Sequence, residues 1–277
     1  MATLYIFGDE SGTMPVNDAD KPFVAATIAV LGKPPVLVPG SNDVKRMVDI
    51  FANFNLIPFA AVVKPYPGYG RILKAKYEKI KIMAQATRIV SGGQATYLDE
   101  KTRKDGFDLR NTVWSHAMSQ SIANAVLNTL FTGSIDSIQI ILDQKTMTPS
   151  MRQFFKEMII NRIGDGMKQF LKSIYFLSPT IVSEWEKRAH FSSKTTVISW
   201  SDESEELEEE FGLRLVDRFA RKIYQAQIKP NSDIEEIFMK AGFEELIHDI
   251  SRLLTRLDKG LIDHFRQVTG LPEPQLV

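Results

Sequence analysis

The sequence contains no cysteine and only four histidines among its 277 residues. The lack of cysteine excludes disulfides, thiolate metal sites and a cysteine nucleophile. The histidines are far apart and show no metal-ligand spacing, which speaks against a zinc site; they are His116, His190, His248 and His264. Carboxylates are therefore the main candidates for chemistry in this chain.

Long apolar runs and a net charge are also missing. No segment approaches the roughly 18 apolar residues of a membrane span, and the N-terminus has no signal-type run. We therefore expect a cytoplasmic protein without a membrane partner. The formal net charge is zero, but basic residues outnumber acidic ones between residues 64 and 110, which permits nucleic-acid binding without requiring it.

The order of apolar runs predicts an α/β fold with a mixed sheet flanked by helices. Strands are expected at 4–8, 23–31, 58–63, 137–142, 174–177 and 195–200, and helices at about 42–53, 72–90, 109–131, 149–163 and 204–227. Gly164 and Gly166 are expected to end the helix that starts near Pro149. The pattern predicts one domain over 1–230 with a helical insertion at about 70–132. A helical extension over 231–277 follows, which offers a surface for homo-oligomers.

The stretch 4–13 attracts attention first, because an apolar run is followed directly by Asp9 and Glu10. The run is typical of a buried strand that stops at Gly8, with Ser11 shaping the turn. Open α/β sheets keep their ligand sites at the carboxyl ends of such strands. An ordinary turn, in which Asp9 bonds only its own backbone, remains the alternative.

Two further aspartates match Asp9. Asp143 follows the apolar run 137–142 just as Asp9 follows the first run. Asp217 lies within a helical pattern and is bordered by apolar residues, so we expect it near the sheet. Because a buried acid needs a partner, Asp217 either pairs with Arg214 or Arg221 or shares a cation with Asp9 and Asp143.

A shared cation is favoured if the three acids converge. Two unit charges about 4 Å apart repel by roughly 4 kcal/mol at an effective dielectric constant near 20, and a divalent ion removes that repulsion. Oxygen ligands suit Mg²⁺ or Mn²⁺. Acids from two strand ends and one late helix make a two-metal site for phosphoryl transfer possible.

The opening Tyr-Ile-Phe-Gly-Asp-Glu-Ser-Gly resembles the start of the bacterial domain-of-unknown-function family 3800, a group regarded as ribonuclease-H-like nucleases. The run that ends at Asp143 looks like the second acidic strand of that family. Residues 201–204, followed by the helix that carries Asp217, look like its closing strand and helix. The helix differs from the family pattern, since Arg214 and Val216 replace the usual Gln and Ala. The resemblance covers about residues 2–227.

This resemblance implies a ribonuclease-H-like fold and a metal-dependent nuclease that acts on DNA or RNA. Asp9, Asp143 and Asp217 would hold Mg²⁺ or Mn²⁺, with Glu10 as a fourth ligand, and these four would form the catalytic set. Lys64 and Lys145 are candidates for contacts to substrate phosphates.

Two other functions stay open. Residues 9–13 also resemble the Asp-x-Asp-Gly-Thr loop of haloacid-dehalogenase-type phosphatases, although Ser11 stands where that family has its general acid. Alternatively, the chain is a degenerate ribonuclease-H-like module that binds nucleic acid or a protein partner without catalysis.

Overall fold

A computed structural model describes residues 2–13, 21–34, 44–64, 78, 82, 109–143, 149–175, 180, 183, 196–200, 207–229, 233–243 and 246–250. Within these ranges the bounds of six strands and five helices are defined. The strands are β1 (Thr3–Gly12), β2 (Phe23–Leu31), β3 (Ile57–Val63), β4 (Ser137–Leu142), β5 (Thr196–Trp200) and β6 (Ile247–Asp249). The helices are α1 (Val44–Asn53), α2 (Leu109–Thr132), α3 (Pro149–Tyr175), α4 (Leu207–Ile228) and α5 (Ile234–Lys240).

The six strands form one mixed sheet in the order β5-β4-β1-β2-β3-β6. β1, β2 and β3 are joined as an antiparallel meander. β4 runs parallel to β1, and β5 runs parallel to β4. As a result, the carboxyl ends of β1, β4 and β5 meet at one edge of the sheet.

Helices cover both faces of the sheet. On the α2 face, α2 and α3 enclose a core that contains Leu4 and Ile6 of β1. On the α4 face, α1, α4 and α5 enclose a second core that contains Phe7. Even-numbered residues of β1 therefore point to the α2 face and odd-numbered residues to the α4 face, as expected from the alternation of side chains along a strand.

α2 is fixed on the sheet by polar contacts as well as apolar ones. The hydroxyl groups of Thr27 in β2 and Ser121 in α2 lie 2.8 Å apart, and the Ser121 hydroxyl also donates to the carbonyl of Phe59 in β3 at 3.2 Å. All three groups are buried among apolar side chains, so these bonds satisfy atoms that have lost contact with water.

The α/β class and most of the predicted elements are confirmed. β2 and β4 have their predicted bounds, and β3, β5, α1, α2 and α4 differ by a few residues at their ends. The predicted helix 72–90 lies outside the described residues, apart from Glu78 and Ile82, which are both helical. Among the described residues, no helix is long and apolar enough to cross a membrane.

Three predictions are wrong. β1 does not stop at Gly8 but continues to Gly12, because β2 is long enough to pair with it as far as Phe23. α3 does not end at Gly164 and Gly166 but runs on to Tyr175, so the strand predicted from residue 174 does not begin there. A Cβ on Gly166 would lie 2.9 Å from the Leu127 side chain, so this glycine allows α2 and α3 to approach closely.

The third error concerns the C-terminal extension over 231–277, which is predicted to be helical. α5 is present, but residues 247–249 form β6, which pairs in parallel with β3. Ala60 donates its N–H to the carbonyl of Leu246, and Ile250 donates to the carbonyl of Val62. Residues 247–249 thus pair with the edge of β3 that β2 leaves open. Residues 251–268 lie outside the described part of the chain.

Candidate functional site

Two of the predicted acids lie side by side at one edge of the sheet. The parallel register of β1 and β4 ends with Gly8 beside Leu142, and Asp9 and Asp143 are the next residue of each strand. The N–H of Asp143 donates a hydrogen bond to the carbonyl of Gly8 at 3.1 Å. This bond holds the end of β4 against β1 and places the two aspartates side by side.

Asp9 is a buried carboxylate with an altered acidity. Its side chain is only 7% exposed, and its Oδ1 accepts a hydrogen bond from the backbone N–H of Glu10 at 2.6 Å. The pKa of Asp9 is raised from 3.8 to about 7, mainly by burial and also by the negative charges of Asp143, Glu10 and Asp217. The hydrogen bond from Glu10 opposes this rise. An acid poised near neutrality in this way is typical of functional sites.

Asp217 comes from the helix that covers the same face. Near the start of α4, Gly212 lies so close to the ring of Phe7 that a Cβ on the glycine would be 2.2 Å from a ring carbon. This contact brings α4 down onto β1 two residues before Asp9. Further along α4, the side chain of Asp217 is 34% exposed, and its charge acts on Asp9.

Asp217 also has a partner of opposite charge. The Nε of Arg221, one helical turn further on, lies 2.9 Å from its Oδ1, and the arginine side chain is 68% exposed. The sequence leaves an arginine or a shared cation open as the partner of Asp217, and the structure pairs it with Arg221. Exposed pairs of this kind contribute about 1 kcal/mol or less, so Arg221 is a weak competitor for a divalent ion at this position.

Glu10 does not lie with the three aspartates. Because β1 continues past Gly8, the side chains of Asp9 and Glu10 point to opposite faces of the sheet. The Glu10 carboxylate accepts a hydrogen bond from the indole Nε1 of Trp114, a buried residue of α2. The structure thus directs Glu10 to the α2 face, away from Asp217 and α4.

The remaining predicted residues have simpler positions. Ser11 is a strand residue paired with Val24 and does not form a turn. Lys64 directly follows β3 and is exposed at the same edge of the sheet, two strands from β1, or about 10 Å in the hydrogen-bonding direction. Lys145 lies outside the described residues.

The donor set at this edge consists of carboxylate oxygens, which is the chemistry that Mg²⁺ and Mn²⁺ prefer. Within the described ranges, however, no three His, Asp or Glu side chains are grouped closely enough to hold a metal ion. Asp143 and Asp217 each act electrostatically on Asp9 without forming a closed ligand shell with it. Binding of an ion there requires the exposed Asp143 and the arginine-paired Asp217 to turn toward Asp9.

Trp114 is a residue that the sequence analysis did not single out. It belongs to the helix predicted at 109–131, and no motif marks it. The available signal is its residue type, since a buried indole needs a partner for its N–H group. Trp114 finds that partner in Glu10, at the acidic end of β1.

The chain matches no protein-family model, and no curated protein is significantly similar to it in sequence.

Proposed function

We propose that this chain is a metal-dependent nuclease with a ribonuclease-H-like sheet, in which Asp9, Asp143 and Asp217 hold Mg²⁺ or Mn²⁺. Its reaction is the hydrolysis of phosphodiester bonds in DNA or RNA. The observation that carries this proposal is the state of Asp9, a buried carboxylate whose pKa is raised to about 7 by burial and by the charges of nearby acids.

The sheet supports the fold that this proposal requires. A meander of three antiparallel strands is followed by two strands that extend the sheet on the other side of β1, both parallel to it. The proposed fold is a mixed sheet flanked by helices, and this sheet agrees with that description. β6 is an addition at the far edge, next to β3.

Each aspartate has a distinct part in the proposed site. Asp9 is fixed by burial and by the N–H of Glu10, so it provides the rigid ligand. Asp143 and Asp217 are more exposed and complete the site from β4 and α4. Divalent ions held by these oxygens would activate a water for attack and stabilise the leaving oxygen. Lys64, exposed at the same edge, is a candidate for contact with a phosphate of the substrate.

The test is incubation of the purified protein with Mn²⁺ and labelled single-stranded DNA, duplex DNA and RNA. We expect metal-dependent cleavage that is lost in Asp9→Asn and retained in Asp49→Asn, a matched change on α1. Cleavage that survives Asp9→Asn unchanged contradicts the proposal. Release of phosphate from small monoesters instead of cleavage indicates the phosphatase alternative.

A second candidate function is a ribonuclease-H-like module that binds nucleic acid or a protein without catalysis. The ion pair between Asp217 and Arg221 favours it, because an aspartate neutralised by arginine has less need of a metal. Binding of labelled nucleic acid without turnover, unaffected by Asp9→Asn, supports this function over the nuclease.

A further inference from the structure

The hydrogen bond between Glu10 and Trp114 connects the acidic end of β1 to the core of the α2 face. Glu10 is partly buried and Trp114 is fully buried, and the N–H of the indole points at the Glu10 Oε2. A hydrogen bond between partners that are withdrawn from water in this way is stronger than an ordinary surface bond.

Trp114 is part of an aromatic cluster that also reaches the end of β4. Its ring lies 4.8 Å from the ring of Phe155 in α3 and 6.2 Å from the ring of Trp200, measured between centroids. Trp200 is the last residue of β5 and pairs with Leu142, which directly precedes Asp143. A single aromatic cluster on the α2 face therefore connects to Glu10, next to Asp9, and to the strand beside Asp143.

We infer that Glu10 is a positioning residue and not a metal ligand, and that its bond to Trp114 fixes the spacing of Asp9 and Asp143 from the opposite face of the sheet. The inference rests on the proposed function in one respect, since it concerns the geometry of the site proposed there. The statement that the Glu10–Trp114 bond fixes the spacing of the two strands depends only on the hydrogen bond and the aromatic cluster.

The carboxyl end of β4 needs a restraint because it is followed directly by Asp143. Asp9 and Asp143 repel each other, and the ladder between their strands ends with the bond from the Asp143 N–H to the Gly8 carbonyl. Beyond this bond β1 stays paired with β2 as far as Gly12, whereas β4 and β5 end at Leu142 and Trp200. Without a further restraint, the end of β4 therefore frays and Asp143 separates from Asp9. Glu10, in the part of β1 that is paired with β2, is bonded to a cluster that contains Trp200 at the end of β5, the neighbour of β4. The bond therefore restrains the ends of β4 and β5 relative to Asp9.

The first test measures Mn²⁺ binding by calorimetry in four variants. Glu10→Gln keeps an oxygen that accepts the indole N–H, so its dissociation constant is expected within about threefold of the wild type. Glu10→Ala and Trp114→Phe both remove the bond, and each is expected to weaken binding about 10-fold, as for other residues that orient metal ligands. The double variant Glu10→Ala/Trp114→Phe is expected to bind no more weakly than either single variant, because both changes break the same bond.

Two results overturn the inference in this test. If Glu10→Gln weakens Mn²⁺ binding as strongly as Asp9→Asn does, Glu10 is a ligand. If Glu10→Ala and Trp114→Phe leave Mn²⁺ binding unchanged, the bond positions nothing.

The second test needs no metal and therefore still decides the inference if the wild type takes up no Mn²⁺, a result that contradicts the proposed function alone. Hydrogen exchange of the Asp143 amide reports the last bond between β1 and β4. We expect exchange about fivefold faster in Glu10→Ala and Trp114→Phe, and unchanged in Glu10→Gln.

Phe238→Leu, a change in the other core, serves as the control for general loss of stability. Asp143 exchange that responds equally to Phe238→Leu, or not at all to Trp114→Phe, overturns the inference.

Discussion

The carbonyl of Gly8 accepts a hydrogen bond from the N–H of Asp143 at 3.1 Å, and this contact places Asp143 beside Asp9. It is the last bond between two parallel strands, so the side chains beyond it emerge together at the edge of the sheet. The consequences for stability, metal binding and packing can each be measured.

The acidity of Asp9 makes the stability of the protein depend on pH. Its pKa is about 7 in the folded state and 3.8 as the ordinary value. Below about pH 4 the carboxyl is neutral in both states, and its contribution to stability is fully present. That contribution to the free energy of unfolding falls as the pH rises from about 4 to about 7 and is absent above pH 7. The total decrease is roughly 4 kcal/mol. Urea unfolding of Asp9→Asn in metal-free buffer is expected to lack this fall. Parallel pH profiles of wild type and variant contradict the expectation, and Asp49→Asn is the control.

Uptake of Mn²⁺ is expected to release a proton near neutral pH, because the ion binds the ionised form of Asp9. Below pH 7 the apparent affinity should therefore fall by up to about tenfold per pH unit. Calorimetry at pH 6.5 in two buffers with different ionisation enthalpies measures the protons released. Identical heats in both buffers would show that Asp9 is not a ligand.

Arg221 and a divalent ion compete for Asp217 in the proposed site. Removing the guanidinium in Arg221→Ala is expected to tighten Mn²⁺ binding by up to about fivefold, the factor that corresponds to an exposed ion pair. Arg218→Ala removes the same charge from the same helix without removing the Asp217 pair, so it controls for the change in net charge. Weaker Mn²⁺ binding in Arg221→Ala than in Arg218→Ala contradicts this competition.

The close packing of α4 on β1 depends on Gly212. A Cβ at this position would lie 2.2 Å from the ring of Phe7, which is itself buried. Gly212→Ala is therefore expected to reduce the free energy of unfolding by about 3 kcal/mol or more. The matched control is Gly164→Ala in α3, where a Cβ would meet nothing within 4 Å. That change is expected to stabilise the helix by up to about 1 kcal/mol, and equal effects of the two changes on urea unfolding contradict the packing argument.

The sequence predicts much of this sheet because apolar runs define buried strands. β2 and β4 are continuous runs of this kind, and their bounds need no knowledge of the rest of the chain. β6 could not be predicted in the same way, because two of its three residues, His248 and Asp249, are polar and exposed. Its strand conformation depends on the open edge of β3. Gly166 likewise looks like a helix end until Leu127 is seen beside it.

The site could be predicted as far as its chain positions and no further. The acids after two apolar runs indicated where Asp9 and Asp143 lie, and the spacing in α4 placed Asp217 near the sheet. The position of Glu10 depends on whether β1 ends at Gly8 or continues. A turn would leave Asp9 and Glu10 together, whereas a continuing strand separates them to opposite faces. The pairing of β1 with β2 decides this, and that pairing is a long-range property.

The aromatic cluster behind the acids provides the protein with an optical reporter. Trp114 and Trp200 are two of its three tryptophans, and their rings lie 6.2 Å apart. Replacing Trp185 by phenylalanine would leave intrinsic fluorescence that originates from this pair alone. A ligand that binds at Asp9 on the α4 face and shifts β1 would then change the emission of the two indoles on the α2 face. No attached label would be needed.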